Sequence, residues 1–132
     1  MRNRGSIILI EKGKVALIKR IREGVTYYVF PGGGIEEDET PETAAKREAF
    51  EELGVKVHVK DCIVKLNFNG TQYFFLGEIT DGVIGTGNGE EYSNSDRGRG
   101  TYEPVWVKIE ALSTLDVRPK EAADKIYFLI KS

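Results

Sequence analysis

A mixed α/β chain, or its α+β variant, is predicted by three observations. Short runs rich in Val, Ile, Tyr and Phe recur between turn residues, as strands do. The segment between Pro41 and Leu53 has marked helix ends, and a second segment after Pro119 carries apolar residues at helical spacing. At 132 residues, 40% of them hydrophobic, the chain has the size and apolar content of one compact domain spanning 1–132.

The elements follow in order. Ile7 to Ile10 and Val15 to Lys19 read as a hairpin closed through Glu11-Lys-Gly-Lys14, where Gly13 supplies the turn. A second turn centres on Gly24, and Tyr27 to Phe30 reads as a strand. Thr40 suits an N-cap, Pro41 the first helical position and Gly54 the residue that ends the helix. Val55 to Val59, Ile63 to Asn67 and Gln72 to Glu78 follow as strands, with Asn69-Gly70 a hairpin signal between the last two. Thr80 to Gly100 is glycine-rich and poor in apolar residues, which predicts a long mobile loop, either a lid or a connection. Val105 to Val107 resumes a strand and Ile109 to Leu115 suggests a short helix. The helix begun at Pro119 carries Ala122, Ala123, Ile126, Tyr127 and Ile130 on one apolar face that should pack on the sheet.

Chemistry concentrates on the first helix. At about 100° per residue, Glu48, Glu51 and Glu52 fall within an arc of about 100°, beside a stripe of Ala45, Ala49 and Leu53. Like charges so placed cost about 0.2–0.5 kcal/mol per pair, so the helix calls for a positive partner. A hard divalent cation meets that need, since Mg²⁺ takes one or two carboxylates, several waters and substrate phosphates. Arg47 sits at i,i+4 from Glu51 and can steady its carboxylate. A solvated acidic face is the alternative for a helix standing alone.

The helix is preceded by Tyr28-Val-Phe-Pro31-Gly32-Gly33-Gly34, and here the chain resembles the Nudix hydrolase family. The fixed positions of that family's box are matched by Gly33, Glu39, Arg47, Glu48, Ala49, Glu51, Glu52, Gly54 and Val55. The later Tyr102-Glu-Pro-Val-Trp106-Val segment is also similar, so the likeness spans most of the chain. Tyr28 departs from it, because many members carry tryptophan there. The resemblance implies the Nudix fold, a mixed curved β-sheet sandwiched between α-helices, with the box as a loop-helix-loop at one end of the sheet.

It also implies hydrolysis of a diphosphate linkage in a nucleotide or nucleoside-diphosphate-linked metabolite, with Mg²⁺ or alternatively Mn²⁺. Glu48 and Glu52 are then the first choices as metal ligands, Glu51 a third or water-mediated one, and the Gly33 carbonyl an added oxygen. Arg47 would orient the glutamates and Glu39 would support the loop. Related enzymes take the general base either from the box or from a later loop, which points to Glu48, with Glu90, Glu91 and Glu103 as distal candidates. A nucleotide-sensing module of the same fold, binding without turnover, is the alternative function; intact Glu48, Glu51 and Glu52 count against it. An isomerase is a further alternative, needing an acid or cysteine poised over an allylic substrate.

Phosphate contacts could come from Arg4, Lys19, Arg20, Arg97 or Arg99, arginine being suited to bidentate binding of phosphate oxygens. Lys19 and Arg20 end a strand and should face opposite sides of the sheet. Tyr28, Phe30, Tyr73 and Phe75 are candidates either for stacking on a base or for core packing, core being favoured. His58 alternates with Val57 and Val59 and should face solvent. A net charge of −2 argues against broad attraction to nucleic acid or anionic membranes, leaving a local basic patch open, and bulk charge does not name the partner; the small size without an added domain points to a small-molecule nucleotide. A homodimer is an option that the family offers, with no interface marked in the sequence. Cys62, the only cysteine, is expected to be a buried apolar thiol; a reducing cytoplasm is the simplest location. The apolar run after Ser6 is too short to span a bilayer and lacks a signal-peptide cleavage pattern.

Overall fold

The computed structural model describes residues 2–84 and 101–131. Eight strands, β1 (Arg4–Glu11), β2 (Lys14–Arg22), β3 (Val25–Val29), β4 (Gly32–Gly34), β5 (Lys56–Asn67), β6 (Thr71–Asp81), β7 (Glu103–Lys108) and β8 (Val117–Arg118), are joined with helices α1 (Pro41–Leu53) and α2 (Lys120–Lys131) and a 3₁₀ turn at Ile109–Ser113. The sheet runs β5-β6-β1-β2-β3-β8, with β4 also on β1 and β7 also on β2. It is mixed: β1 and β6 are parallel, as are β3 and β8, and the other pairs are antiparallel. Strand β1 is the pivot. Its first half lies between β4 and β6, whereas its last residues, Ile10 and Glu11, turn to pair with Val15 and Lys14.

The turns form where the sequence permits positive φ. Lys12 and Gly13 (φ 53° and 78°) close β1 on β2, and Glu23 and Gly24 (φ 53° and 80°) close β2 on β3, both as two-residue hairpins of the primed type. The Thr40 hydroxyl accepts the Thr43 N–H at 3.1 Å, and Gly54 ends α1 at φ 75°. Such a cap is worth about 1 kcal/mol.

Two apolar layers sandwich the sheet. Alternation along β1 sends Ile7 and Leu9 toward α1, where they meet Ala45, Ala49, Leu53, Val57 and Phe75. Ile8 faces the opposite way, into a layer with Phe30, Phe74, Ile109, Ala122, Ala123 and Ile126. Glycine at position 5 lets α1 settle on β1, because a Cβ there would collide with the Pro41 carbonyl.

Several expectations are corrected. The segments 55–59 and 63–67 are one strand, β5, kept continuous by register shifts around Cys62. Those shifts break the alternation and leave Cys62 exposed rather than buried, its thiol donating to the Val64 carbonyl at 3.3 Å. Thr80 and Asp81 extend β6 instead of beginning the loop, and residues 85–100 lie outside the described ones. The first turns of α2 do the packing, through Ala122, Ala123 and Ile126, so Ile130 is exposed. Among the described residues no helix is long and apolar enough to cross a membrane.

Candidate active site

The glycine turn and α1 build one site together. Strand β4 pairs with β1 as Gly34 to Arg4, Gly33 to Gly5 and Gly32 to Ser6, which holds the turn against the first helical turns. A Cβ on Gly33 would overlap the Glu48 carboxylate, so the lack of a side chain is what lets that carboxylate lie on the main chain. At the helix's other end, the Gly32 N–H donates to Glu52 Oε1 at 2.8 Å. Glu48 and Glu52 thus both reach the same three-glycine strand.

Arg47 is the hub. Its Nε and Nη2 form a two-pronged pair with Glu39 at 2.7 and 3.0 Å, Nη2 also donates to the Gly34 carbonyl at 3.1 Å, and Nη1 donates to Glu48 at 3.0 Å and Glu51 at 3.3 Å. This geometry joins loop, turn and helix through one planar fork. The loop's end is fixed in turn by the Glu36 N–H on Glu39 at 2.9 Å. Arg47 and that N–H bring the Glu39 carboxyl down from its ordinary 4.5 to about 2. Glu48 moves the other way: desolvation raises it, and the Arg47 guanidinium only partly offsets the effect. Glu51 is the open member, with 47% of its side chain exposed against 15% for Glu48.

Among the described residues, no three His, Cys, Asp or Glu side chains stand close enough to hold a metal ion by themselves. The donor chemistry nevertheless fits a hard cation: carboxylates converging on a main chain without side chains suit an ion completed by carbonyl oxygen, water and substrate phosphate.

Arg4 connects this cluster to a cavity of about 260 Å³. Its guanidinium donates to the Gly32 carbonyl at 3.4 Å and lines the cavity with Ser6, Phe30, Phe68, Gln72, Phe74 and Arg118. Phe30 and Phe74 meet edge to face, 5.6 Å between centroids, as part of its apolar wall.

The other candidates divide. Lys19 lies opposite Tyr28 and Glu103 in the ladders, and none of the three lines this cavity or joins the Arg47 network. Tyr28 packs instead against the core layer of α2. Arg20 stacks on Tyr102 at 3.8 Å from the ring centre, and Tyr73 stacks with Phe75 at 6.2 Å in the α1 layer. His58 is exposed, as expected. Glu90, Glu91, Arg97 and Arg99 lie outside the described residues. Phe68, Gln72 and Arg118 were not anticipated. Asn69-Gly70 announces the hairpin tip, but no local signal says that the tip faces Pro119.

A NUDIX domain family model matches residues 1–129. The chain belongs to the Nudix family. Among its relatives, an RNA pyrophosphohydrolase of Marinomonas sp. is 41% identical over 63 residues, 48% of this chain and 38% of that protein. A MutT-like protein of Streptomyces ambofaciens is 40% identical over 55 residues, 42% of this chain and 34% of the relative. The matched stretches span roughly a third of the length of these curated relatives. A solved NUDIX-family hydrolase from Clostridium perfringens superposes with a TM-score of 0.70 at 18% identity, covering 97% of each chain. That likeness is one of fold, and the Nudix fold is the one described above.

Proposed function

We propose that this Nudix domain is a divalent-cation-dependent pyrophosphohydrolase that cleaves a diphosphate linkage in a nucleotide or nucleoside-diphosphate-linked metabolite. The observation that carries the reading is the Arg47 fork, which holds Glu48 and Glu51 beside the Gly33–Gly34 main chain while Gly32 holds Glu52. An acidic cluster with so much built-in orientation is more than a solvated face. Pyrophosphohydrolase activity in the name of the Marinomonas relative supports the reaction type.

Glu48, Glu51 and Glu52, with the Gly33 carbonyl, are the groups that would hold Mg²⁺ or Mn²⁺. When bound, the ion neutralises phosphate charge and acidifies water. The chain's own residues do the rest. Arg47 acts as a positioning residue, spacing the two glutamates it touches and fixing the turn through Gly34. Glu39 keeps Arg47 from collapsing fully onto those glutamates. Arg4, between cavity and cluster, is placed to take a phosphate oxygen of a substrate whose remainder occupies the cavity. Glu48 is the base in this scheme, its carboxylate lying against the Gly33 main chain where it can face a water held by the ion.

The test is mass-resolved product analysis of a nucleotide panel in Mg²⁺ and in Mn²⁺, with wild type beside folded Glu52→Gln. Cleavage that needs the ion, stops on chelation and is lost in the variant supports the proposal. A folded wild type that converts no member of the panel, a 5′-triphosphorylated oligonucleotide included, with either ion refutes it.

A further inference from the structure

Phe68 stands at the tip of the β5–β6 hairpin with 67% of its surface exposed, yet the tip beneath it is firmly built. The Phe68 N–H donates to the Gly70 carbonyl at 2.8 Å, and the Gln72 side-chain amide donates to the Phe68 carbonyl at 3.2 Å. Asn3 accepts the Thr71 N–H at 2.9 Å through its side chain, and Arg2 donates its N–H to the Asn69 carbonyl at 3.3 Å. Gly70, at φ 101°, has no room for a Cβ against the Arg2 backbone. An exposed aromatic on a fixed tip loses little further freedom when something stacks on it.

Open space lies on two sides of that ridge. Phe68, Gln72 and Pro119 line the cavity of about 260 Å³ that contains Arg4, and the same three residues line a second cavity of about 250 Å³ completed by Leu66, Asn67 and Glu121. Either volume alone is below the roughly 300–1,000 Å³ usual for a ligand pocket, and together they fall within it. The near cavity is tied to the acidic cluster through Arg4 and Gly32, whereas the far one shares neither. A ligand filling both places two units in succession on one side of its phosphates, and the exposed Phe68 ring that both cavities share favours planar units that stack on it.

That order separates the chemical classes. A dinucleoside polyphosphate carries its two bases at opposite ends of the phosphate chain. A 5′-polyphosphorylated oligonucleotide carries its first two bases consecutively from one end. Glu121 in the far cavity repels a phosphate and can accept from a base N–H. Resting on the hydrolase reading above, we propose that Phe68 is the specificity-determining ridge of a two-base groove, and that the substrate is a 5′-polyphosphorylated oligonucleotide end. Holding such an end by stacking needs no broadly basic surface, so the net charge of −2 is no obstacle.

The test compares a 5′-triphosphorylated dinucleotide with its analogue having an abasic second residue. Wild type, Phe68→Ala and Phe68→Trp are measured in Mg²⁺ for kcat/KM, and the same ligands are titrated calorimetrically on a Glu52→Gln background. One stacked base is worth about 5- to 150-fold, so wild type should favour the complete dinucleotide by a factor in that range in kcat/KM, and Glu52→Gln should do so in Kd. Phe68→Ala should bring the ratio to near one and Phe68→Trp should keep it. Equal kcat/KM and equal Kd for the two ligands, or a preference unmoved by Phe68→Ala, overturns the inference. If neither ligand is cleaved but the Kd ratio persists and depends on Phe68, the groove stands and the hydrolase reading falls. Equal cleavage of both leaves the hydrolase and removes the groove.

Discussion

Glu52 accepts the main-chain N–H of Gly32 at 2.8 Å, so the last acid of α1 is tied to the strand that precedes the helix by a whole loop. Glutamine keeps an oxygen for that N–H while removing the charge. Glu52→Gln is therefore expected to fold with a Tm near wild type and to lose more than about 100-fold in kcat, beyond the range usual for a merely supporting partner. Thermal melts and steady-state kinetics on one preparation check both halves.

Lysine in place of Arg47 retains a charge but cannot serve Glu39, Gly34, Glu48 and Glu51 with one planar fork. Arg47→Lys is expected to lower activity by about 10- to 100-fold and to raise the Mg²⁺ concentration at half-maximal rate. A metal titration of the rate would expose an unchanged midpoint, which would contradict the positioning role.

At Gly33 a single methyl group meets the Glu48 carboxylate. Gly33→Ala is expected to displace that carboxylate, to cut activity sharply and to cost about 1–3 kcal/mol of stability at most, the usual range for overpacking. Urea melts at constant pH measure the stability, with kcat measured in parallel.

Glu39 gives a pH signature. Its folded-state value of about 2 lies below the ordinary 4.5, so its pairing stabilises the fold above pH about 4.5 and that contribution is lost as the pH falls toward 2. Wild type should lose stability relative to Glu39→Gln across this window and hold a constant difference above pH 6. Parallel curves for the two proteins from pH 2 to 6 would exclude the Arg47–Glu39 pair as the cause.

The helix was legible because its signals are local: Thr40, Pro41 and Gly54 mark its ends, and the structure places them there. The hairpin turns at Gly13 and Gly24 were legible for the same reason. Strand β4 was not, since Gly32–Gly34 has no side chains to alternate and becomes a strand only through pairing with β1. The exposure of Cys62 escaped because a bulge resets alternation without any residue type that announces it. Of the site, the acidic helix and Arg47 could be read by spacing, whereas the cavity combines β1, β3, β6, the hairpin tip and Arg118–Pro119 just ahead of α2, which only tertiary contact brings together.

The bond between Asn3 and Thr71 also bears on when the site comes into being. It spans 68 residues, and β1 finds its parallel neighbour β6 only over that distance. Closing so long a segment costs about 4 kcal/mol of chain entropy before pairing repays it. A nascent chain halted ahead of Gln72 would carry the whole acidic helix with its arginine, yet would lack the hairpin wall and one flank of the strand on which the helix rests. Folding of this domain should accordingly be limited by docking of the hairpin, and its activity should appear in a single late step rather than grow with the helix.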